Sequence, residues 1–376
     1  MSYLTCSSQH DSTLHSCYIH HCIATIEGLD SHISSLAIEG HFLFTGSSQK
    51  EIRLWNRNAL IRSQVDHHKS LADTMVVTGG NGAVKSMVVS SDKLFTSHQD
   101  HKIRVWKINA REPQQNKLIT HLATLPTLSD RALKLLVPKH HVQVRRHKKS
   151  TWVHHLDTVS ALAVSNDGSL LYSVSWDKTL KIWQTTDFKC LQSVPNAHDD
   201  AINAITLSSN GDIYTGSADK RIKIWRKLPS ENSRDVLRLV STLEKHKSGI
   251  NALALSSDGN MLYSGASDRS IVVWETNSGD GTVAVGGLRG HTKAVLCLTV
   301  VSDLVCSGSA DETIRIWRGV DKCYFCLAVL EGHNGPVKCL TLAKDEDDLS
   351  DTCSYLVYSG GLDCNIKLWR IFVGSG

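Results

Sequence analysis

No run of about 18 apolar residues occurs in this chain of 376 residues, so nothing in it reads as a membrane-spanning helix. The opening stretch, MSYLTCSSQHDSTLHSC, lacks a cationic patch followed by an apolar segment, and no secretory signal is expected. Charge of one sign is also scarce: 41 Lys and Arg stand against 37 Asp and Glu. A net charge of +4 is too small by itself to imply a nucleic acid or a membrane surface as partner. These absences lead us to expect a cytoplasmic or nuclear protein, or one found in both. No glycine-rich loop precedes a strand lysine, and neither HRD nor DFG occurs, which removes the protein-kinase reading. The glycine-rich stretch GDGTVAVGG at 279–287 reads as a connection between strands.

Cysteine is not lacking, with 11 residues, but its context argues against disulfides. Cys297, Cys306 and Cys339 lie in apolar runs where a reduced thiol packs as a small hydrophobe. Cys323 and Cys326 have CxxC spacing without a second pair at zinc-site distance, so no metal and no cofactor is expected. The adjacent histidine pairs (His20-His21, His67-His68, His140-His141, His154-His155) would face opposite sides of a strand and could not share a metal.

What is present in abundance is one repeated phrase. A small or hydroxyl residue, a tight turn, an alternating β-branched run and a tryptophan recur seven times, ending at Trp55, Trp106, Trp183, Trp225, Trp274, Trp317 and Trp369. Successive intervals are 51, 77, 42, 49, 43 and 52 residues. These compare with roughly 40–45 residues for a four-stranded propeller blade. Six residues before each Trp stands Asp100, Asp177, Asp219, Asp268, Asp311 or Asp363, with Gln49 in the first repeat. An Asp there can cap a hairpin turn by accepting nearby backbone N–H groups. Four residues earlier comes a hydroxyl in every repeat: Thr45, Thr96, Ser173, Thr215, Ser264, Ser307 and Ser359. Hairpin pairing places it roughly opposite the Trp, where it can accept the indole N–H.

A histidine precedes the inner strand of five blades: His155, His198, His246, His291 and His333, while Leu29 and Gly80 take the slot in the first two. With this set the phrase resembles the WD40 family, over nearly the whole chain. The resemblance implies an all-β, seven-bladed propeller of four-stranded antiparallel blades, with a buried His–Ser/Thr–Asp–Trp tetrad in blades three to seven. The first two blades, lacking members of the set, are expected to rely more on packing. The segment HHCIATIEGL at 20–29 reads like YFCLAVLEGH at 324–333, so an N-terminal strand is expected to complete the last blade. Residues 1–17 read as a flexible segment and 18–373 as one propeller. A Ser/His/Asp set is also the grammar of a hydrolase, but five copies, each with a Trp, point to structural hydrogen bonding. We therefore expect no catalytic residues.

The departures from the repeat are where function is sought. A basic insertion spans 126–154, between blades two and three. From Asp130 to Ser150 it carries Arg131, Lys134, Lys139, Arg145, Arg146, Lys148 and Lys149, seven cations against one acid, a balance of +6. Such a segment can be a solvated loop with one added strand (VQVRR alternates), a dock for an acidic protein, or a nuclear-import or nucleic-acid contact through RRHKK. Trp152 lies at its end. Trp176 occupies the hairpin position filled elsewhere by Ser48, Gln99, Ala218, Ser267, Ala310 and Leu362, and suits a peptide anchor, unless it packs under the insertion against Trp152. On the opposite face KDEDDLSD at 344–351 reads as a solvated acidic loop. The string TLPTLSDRALKLLVPKHHVQVRRHKK, with the blade that follows it, resembles plant WD40 proteins of the JINGUBANG type. That resemblance implies a non-catalytic adaptor in signalling or transcriptional regulation, whose partners are other proteins: an acidic segment or a transcription regulator. Direct nucleic-acid or membrane binding is not expected. A substrate-receptor role in a cullin-type ubiquitin ligase is the alternative, although the Trp-Asp-x-Arg signature of that class is absent from all seven repeats.

Overall fold

A computed structural model describes residues 20–27, 29–62, 75–78, 80–109, 118–128, 130, 141–145, 148–229, 236–277, 281–320, 323–345 and 353–373. The alternating runs before and within each repeated phrase become antiparallel strands, and these assemble into seven four-stranded sheets. The third blade is representative: Val159–Val164 is innermost, followed outward by Leu170–Ser175, Leu180–Gln184 and Cys190–Val194. Neighbouring inner strands pack on one another around the whole ring, including the last on the first. The fold is a seven-bladed β-propeller.

Closure is made by the N-terminal strand His20–Ile26, which pairs with Ile366–Val373 from His20↔Ile371 to Ile26↔Ile366. Ring closure of this kind leaves no unpaired edge at the junction. Residues 1–17 lie outside the described residues. The stretch 279–287 differs from the sequence reading: Gly281–Leu288 is the outer strand of the fifth blade, paired with Ile271–Asn277. Its alternation of Thr282, Val283, Ala284 and Val285 suffices for an edge position despite the glycines.

Each tryptophan fills the seam between its own blade and the preceding one. Trp55 packs with Leu36 and Leu43 of the first blade and Tyr358 and Leu368 of the last. The other six occupy the corresponding seams. A glycine after the hydroxyl lets five seams close. A Cβ on Gly46, Gly216, Gly265, Gly308 or Gly360 would lie 2.6–2.7 Å from the first residue of the next blade's inner strand. The repeated Thr/Ser-Gly pair thus satisfies two needs at once, an acceptor for the indole and room for the neighbour.

Every seam also carries a side-chain-to-backbone hydrogen bond. Ser34, Ser160, Asn203 and Asn251 donate to carbonyls of Val84, Ile202, Ile250 and Val295 in the following blade. Ser86 accepts the N–H of Leu162, and the thiols of Cys297 and Cys339 donate to Val337 and Ile33. Burial pushes the Cys297 thiol up to about 12, so it stays protonated and can act as the donor. Cys22, Cys190, Cys297, Cys306, Cys323, Cys326, Cys339 and Cys364 are free thiols.

Candidate functional site

Strand alternation decides where the chemistry-bearing residues gather. Loops entering each inner strand and hairpin turns joining the middle strands both lie on one face, because strands one and three run in the same sense. That face holds the loop histidines and the hairpin aspartates.

In the third to seventh blades the hydrogen bonds form a continuous chain. The indole N–H of Trp183, Trp225, Trp274, Trp317 or Trp369 donates to the hydroxyl of Ser173, Thr215, Ser264, Ser307 or Ser359 at 2.8–2.9 Å. The hydroxyl lies 2.7–2.8 Å from Nε2 of His155, His198, His246, His291 or His333. Nδ1 of each ring lies 2.8–3.3 Å from Oδ2 of Asp177, Asp219, Asp268, Asp311 or Asp363. Those roles fix the protons: Nδ1–H donates to the carboxylate, and Nε2 accepts the hydroxyl proton, so the ring is neutral. Burial lowers the pKa of His155, His246, His291 and His333 despite the aspartates, in agreement with that tautomer.

The aspartates do more than orient histidine. Their Oδ1 atoms accept the N–H two residues on, at Thr179, Arg221, Ser270, Thr313 and Asn365, capping the hairpin turn. Their Oδ2 atoms accept the N–H following the histidine, at Leu156, Asp199, Lys247, Thr292 and Asn334. One carboxylate therefore ties a hairpin to the entering loop. For Asp219 burial opposes ionisation, but the His198 and backbone hydrogen bonds outweigh it and hold the group at about 2.

The hydroxyl does not pair directly with the Trp position. Register matches Thr45 with Arg53 and Leu43 with Trp55, so hydroxyl and indole are diagonal neighbours on one sheet face. The bond forms all the same, at 3.0 Å from Trp55 to Thr45 and 2.9 Å from Trp106 to Thr96. The second blade also corrects the expectation that it would manage without histidine. His98, two residues after the hydroxyl on the same strand, places Nε2 2.8 Å from Thr96 Oγ1 and Nδ1 3.0 Å from the Gly82 carbonyl. Because the carbonyl replaces the aspartate, Asp100 is released to pair with Arg104, whose Nη1 lies 3.1 Å from Oδ1. Burial, then the nearby Arg104 charge, lowers His98 to about 4. The first blade has no histidine in its network, and Gln49 Nε2 donates to the Asp30 carbonyl instead.

A Ser–His–Asp arrangement could serve acyl transfer only if the hydroxyl met a substrate. Here the hydroxyl-bearing residues of blades three to seven are 0% exposed, and the oxygen already accepts an indole proton. These clusters are structural. Among the described residues, no group of three His, Cys, Asp or Glu is placed to hold a metal ion.

These repeats, their tetrads and the ring closure agree with a family match: the "WD domain, G-beta repeat" family matches residues 20–56, 146–184, 188–226, 237–275, 278–318 and 324–370, more than half of the chain. The chain is a WD40-repeat protein. The second blade of this WD40 propeller falls between matched segments, and it is the blade in which His98 replaces the loop histidine. Curated relatives include apoptotic protease-activating factor 1 of Danio rerio, 28% identical over 61% of this chain. Cell division control protein 4 of Candida albicans is 31% identical over 31% of the chain, and ribosome biogenesis protein YTM1 of Scheffersomyces stipitis 22% identical over 74%. This chain spans 17%, 18% and 62% of their respective lengths. WD40 propellers generally act as interaction scaffolds, and the names of these relatives cover apoptosis, cell division and ribosome biogenesis.

The two tryptophans outside the repeat part company in the structure. Trp152 is half-buried against the core cluster of Phe95, Val153, Leu171 and Trp183, and its carbonyl accepts the buried Lys181 ammonium. Trp176 is 40% exposed on the hairpin of the third blade, with the Lys85 ammonium 5.6 Å from its ring centre. The two do not stack on each other, and Trp176 is the one left exposed. The insertion begins docked: buried Asp130 accepts the N–H of Cys190 on the outer strand of the third blade. Farther along, His141–Arg145 pairs with Lys148–Thr151 in a two-stranded ribbon that carries Arg145, Lys148 and Lys149. Arg131, Lys134, Lys139 and Arg146 lie outside the described residues, as does 346–352 of the acidic loop.

Proposed function

We propose that this WD40 propeller is a non-catalytic adaptor that docks acidic protein segments on its His/Asp-turn face. The observation that carries the reading is Trp176, a large apolar ring left 40% exposed where the corresponding positions in most other blades carry small or polar residues. Exposed aromatics of this kind dominate interface energetics. The insertion that leads into the same blade has a balance of +6, which can steer an acidic partner but reads no sequence of its own. The resemblance to JINGUBANG-type proteins supports a place in plant signalling or transcriptional regulation, in the cytoplasm, the nucleus or both.

Affinity purification from a cell extract tests the proposal with wild type, Trp176→Ala and a deletion of 131–150. The deletion starts after Asp130 because that residue anchors the third blade. Trp176→Ala and the deletion should each lose a protein recovered by wild type while melting with an unchanged profile. An identical set of captured proteins in all three would refute the docking face.

A further inference from the structure

The second residue of every inner strand lies at a shift in register against the next strand, between Ile33 and Ser35 in the first blade and at the same point in the other six. Such bulges re-aim a side chain. The seven residues form a ring just inside the mouth of the central channel, on the His/Asp-turn face: Ser34, Lys85, Ser160, Asn203, Asn251, Leu296 and Lys338. Four of them have a structural task, donating to the next blade's carbonyl. In the sixth and seventh blades that task passes to the third residue, Cys297 or Cys339, and in the second the third residue, Ser86, bridges the seam by accepting the Leu162 N–H. Lys85 and Lys338 are thereby relieved of it.

Lys338 is exposed, and the Lys85 ammonium stands over the Trp176 ring. Lys85 is half-buried beside the Trp176 ring, and among the described residues neither ammonium has a carboxylate partner. Three carboxylates on this side of the ring have other partners: Asp100 with Arg104, Asp157 with the Thr158 N–H, and Asp363 with His333. The inner strands that carry the two lysines both pack on that of the first blade, so the two positions flank Ser34 in the ring; burial, and after it the Lys338 charge, lowers the Lys85 pKa. A folded protein that holds two like charges together at the cost of desolvating one leaves them short of a counter-charge. Apolar surface flanks them on both sides, Trp176 on the third blade and Leu362 on the seventh, each 40% exposed.

We infer that Lys85 and Lys338 form a carboxylate-binding pair at the channel mouth, which receives an Asp or Glu side chain of a docked peptide whose apolar neighbour packs on Trp176. This rests on the docking role of the face proposed above and gives it a specific chemistry. A carboxylate between the two ammonium groups converts their repulsion into two attractions in a partly dehydrated site, where such interactions are stronger than in open water. Position also favours it: the pair belongs to rigid inner strands, so little ordering is needed on binding.

The test uses the intact chain. A random 12-residue peptide library displayed on phage is selected on wild type, and the enriched peptides are resynthesised with Asp and Glu replaced by Asn and Gln. Enriched sequences should carry an acidic residue next to an apolar one. Affinity should fall about tenfold in Lys85→Met, in Lys338→Met and in the amide peptide, and should weaken as salt rises. Met keeps the apolar stem, so both variants should melt at or above the wild-type temperature; a clear drop would assign the lysines a structural role and overturn the inference. It is equally overturned if no peptide is enriched, if the enriched peptides lack acids, or if a 12-nucleotide single strand binds in a lysine-dependent way while acidic peptides do not. Peptides that lose binding in Trp176→Ala but not in either lysine variant would sink the lysine pair and leave the docking face standing. Indifference to all three variants would remove both.

Discussion

Three blades carry threonine as the shared acceptor, and they offer a graded test of the tetrad. Thr45→Val, Thr96→Val and Thr215→Val are isosteric changes at residues 0–2% exposed, so little packing is lost in any of them. In the first blade the hydroxyl serves only the Trp55 indole, and its removal strands one buried donor. Leaving one such group unpaired costs about 1–3 kcal/mol. In the fourth blade the same change strands the Trp225 indole and His198 Nε2, while Asp219 still holds the other ring nitrogen in its protonated form. The ring therefore cannot escape by changing tautomer without breaking the Asp219 bond. Two stranded groups should cost roughly twice as much, about 2–6 kcal/mol. Thr96→Val should behave like Thr215→Val, because His98 stands in for the loop histidine. Equilibrium urea denaturation reads the differences, with a constant m-value as the condition for comparing midpoints. If Thr45→Val proves as costly as Thr215→Val, the histidine link contributes nothing. If Thr96→Val resembles Thr45→Val, the assignment of His98 is wrong.

Acid should weaken the protein in two stages. A histidine whose folded pKa is lowered binds a proton more readily when unfolded, so its stabilisation is present above the unfolded value near 6.5 and is lost as pH falls below it. For His98, at about 4 in the fold, the loss by pH 4 is on the order of 3 kcal/mol, and a melting temperature that stays flat from pH 7 to 4.5 would contradict this. Below pH 3.8 the aspartates follow in the same direction, Asp219 being held at about 2. Gly360→Ala should destabilise by about 1–3 kcal/mol in calorimetry, since its Cβ would meet Ile33 Cγ2 at 2.6 Å in the seam that closes the ring; an unchanged melt would mean the seam can open without strain. Deleting residues 1–27 removes the buried side chains of Ile23 and Ile26, worth roughly 3–6 kcal/mol together, and exposes the strand Ile366–Val373. The expected result is a sharply lower melting temperature and self-association in light scattering, and a wild-type profile would sink the closure argument.

Much of this was legible in sequence because a buried polar group needs a partner, and partners on one hairpin stand at fixed offsets. Trp, hydroxyl and Asp belong to a single hairpin, so their spacing alone identified the three hairpin members of each tetrad that the structure brings together, from Ser173, Asp177 and Trp183 onward. The loop histidines were equally visible, since each stands just before an inner strand. His98 was overlooked although it was in view: TSHQD carries histidine where other repeats have Ser47, Ser175, Ser217, Ala266, Ser309 or Gly361. Its geometry required knowing that this position, two along the strand from Thr96, shares a sheet face with the hydroxyl.

By itself the sequence determined the number of blades, the closing strand and the membership of five tetrads, because these follow from local periodicity and short-range hydrogen bonding. Only the tertiary structure decided which of two unusual tryptophans turns inward and which faces solvent. Trp152 and Trp176 are alike in composition and neighbourhood along the chain, but one meets the seam core beside Trp183 and the other meets Lys85 from a different blade. The same holds for Lys85 and Lys338, which are 253 positions apart in the chain and flank the first blade because ring closure sets the seventh blade two places from the second. Contacts between blades depend on the angle at which whole sheets pack, and no spacing within one repeat encodes that.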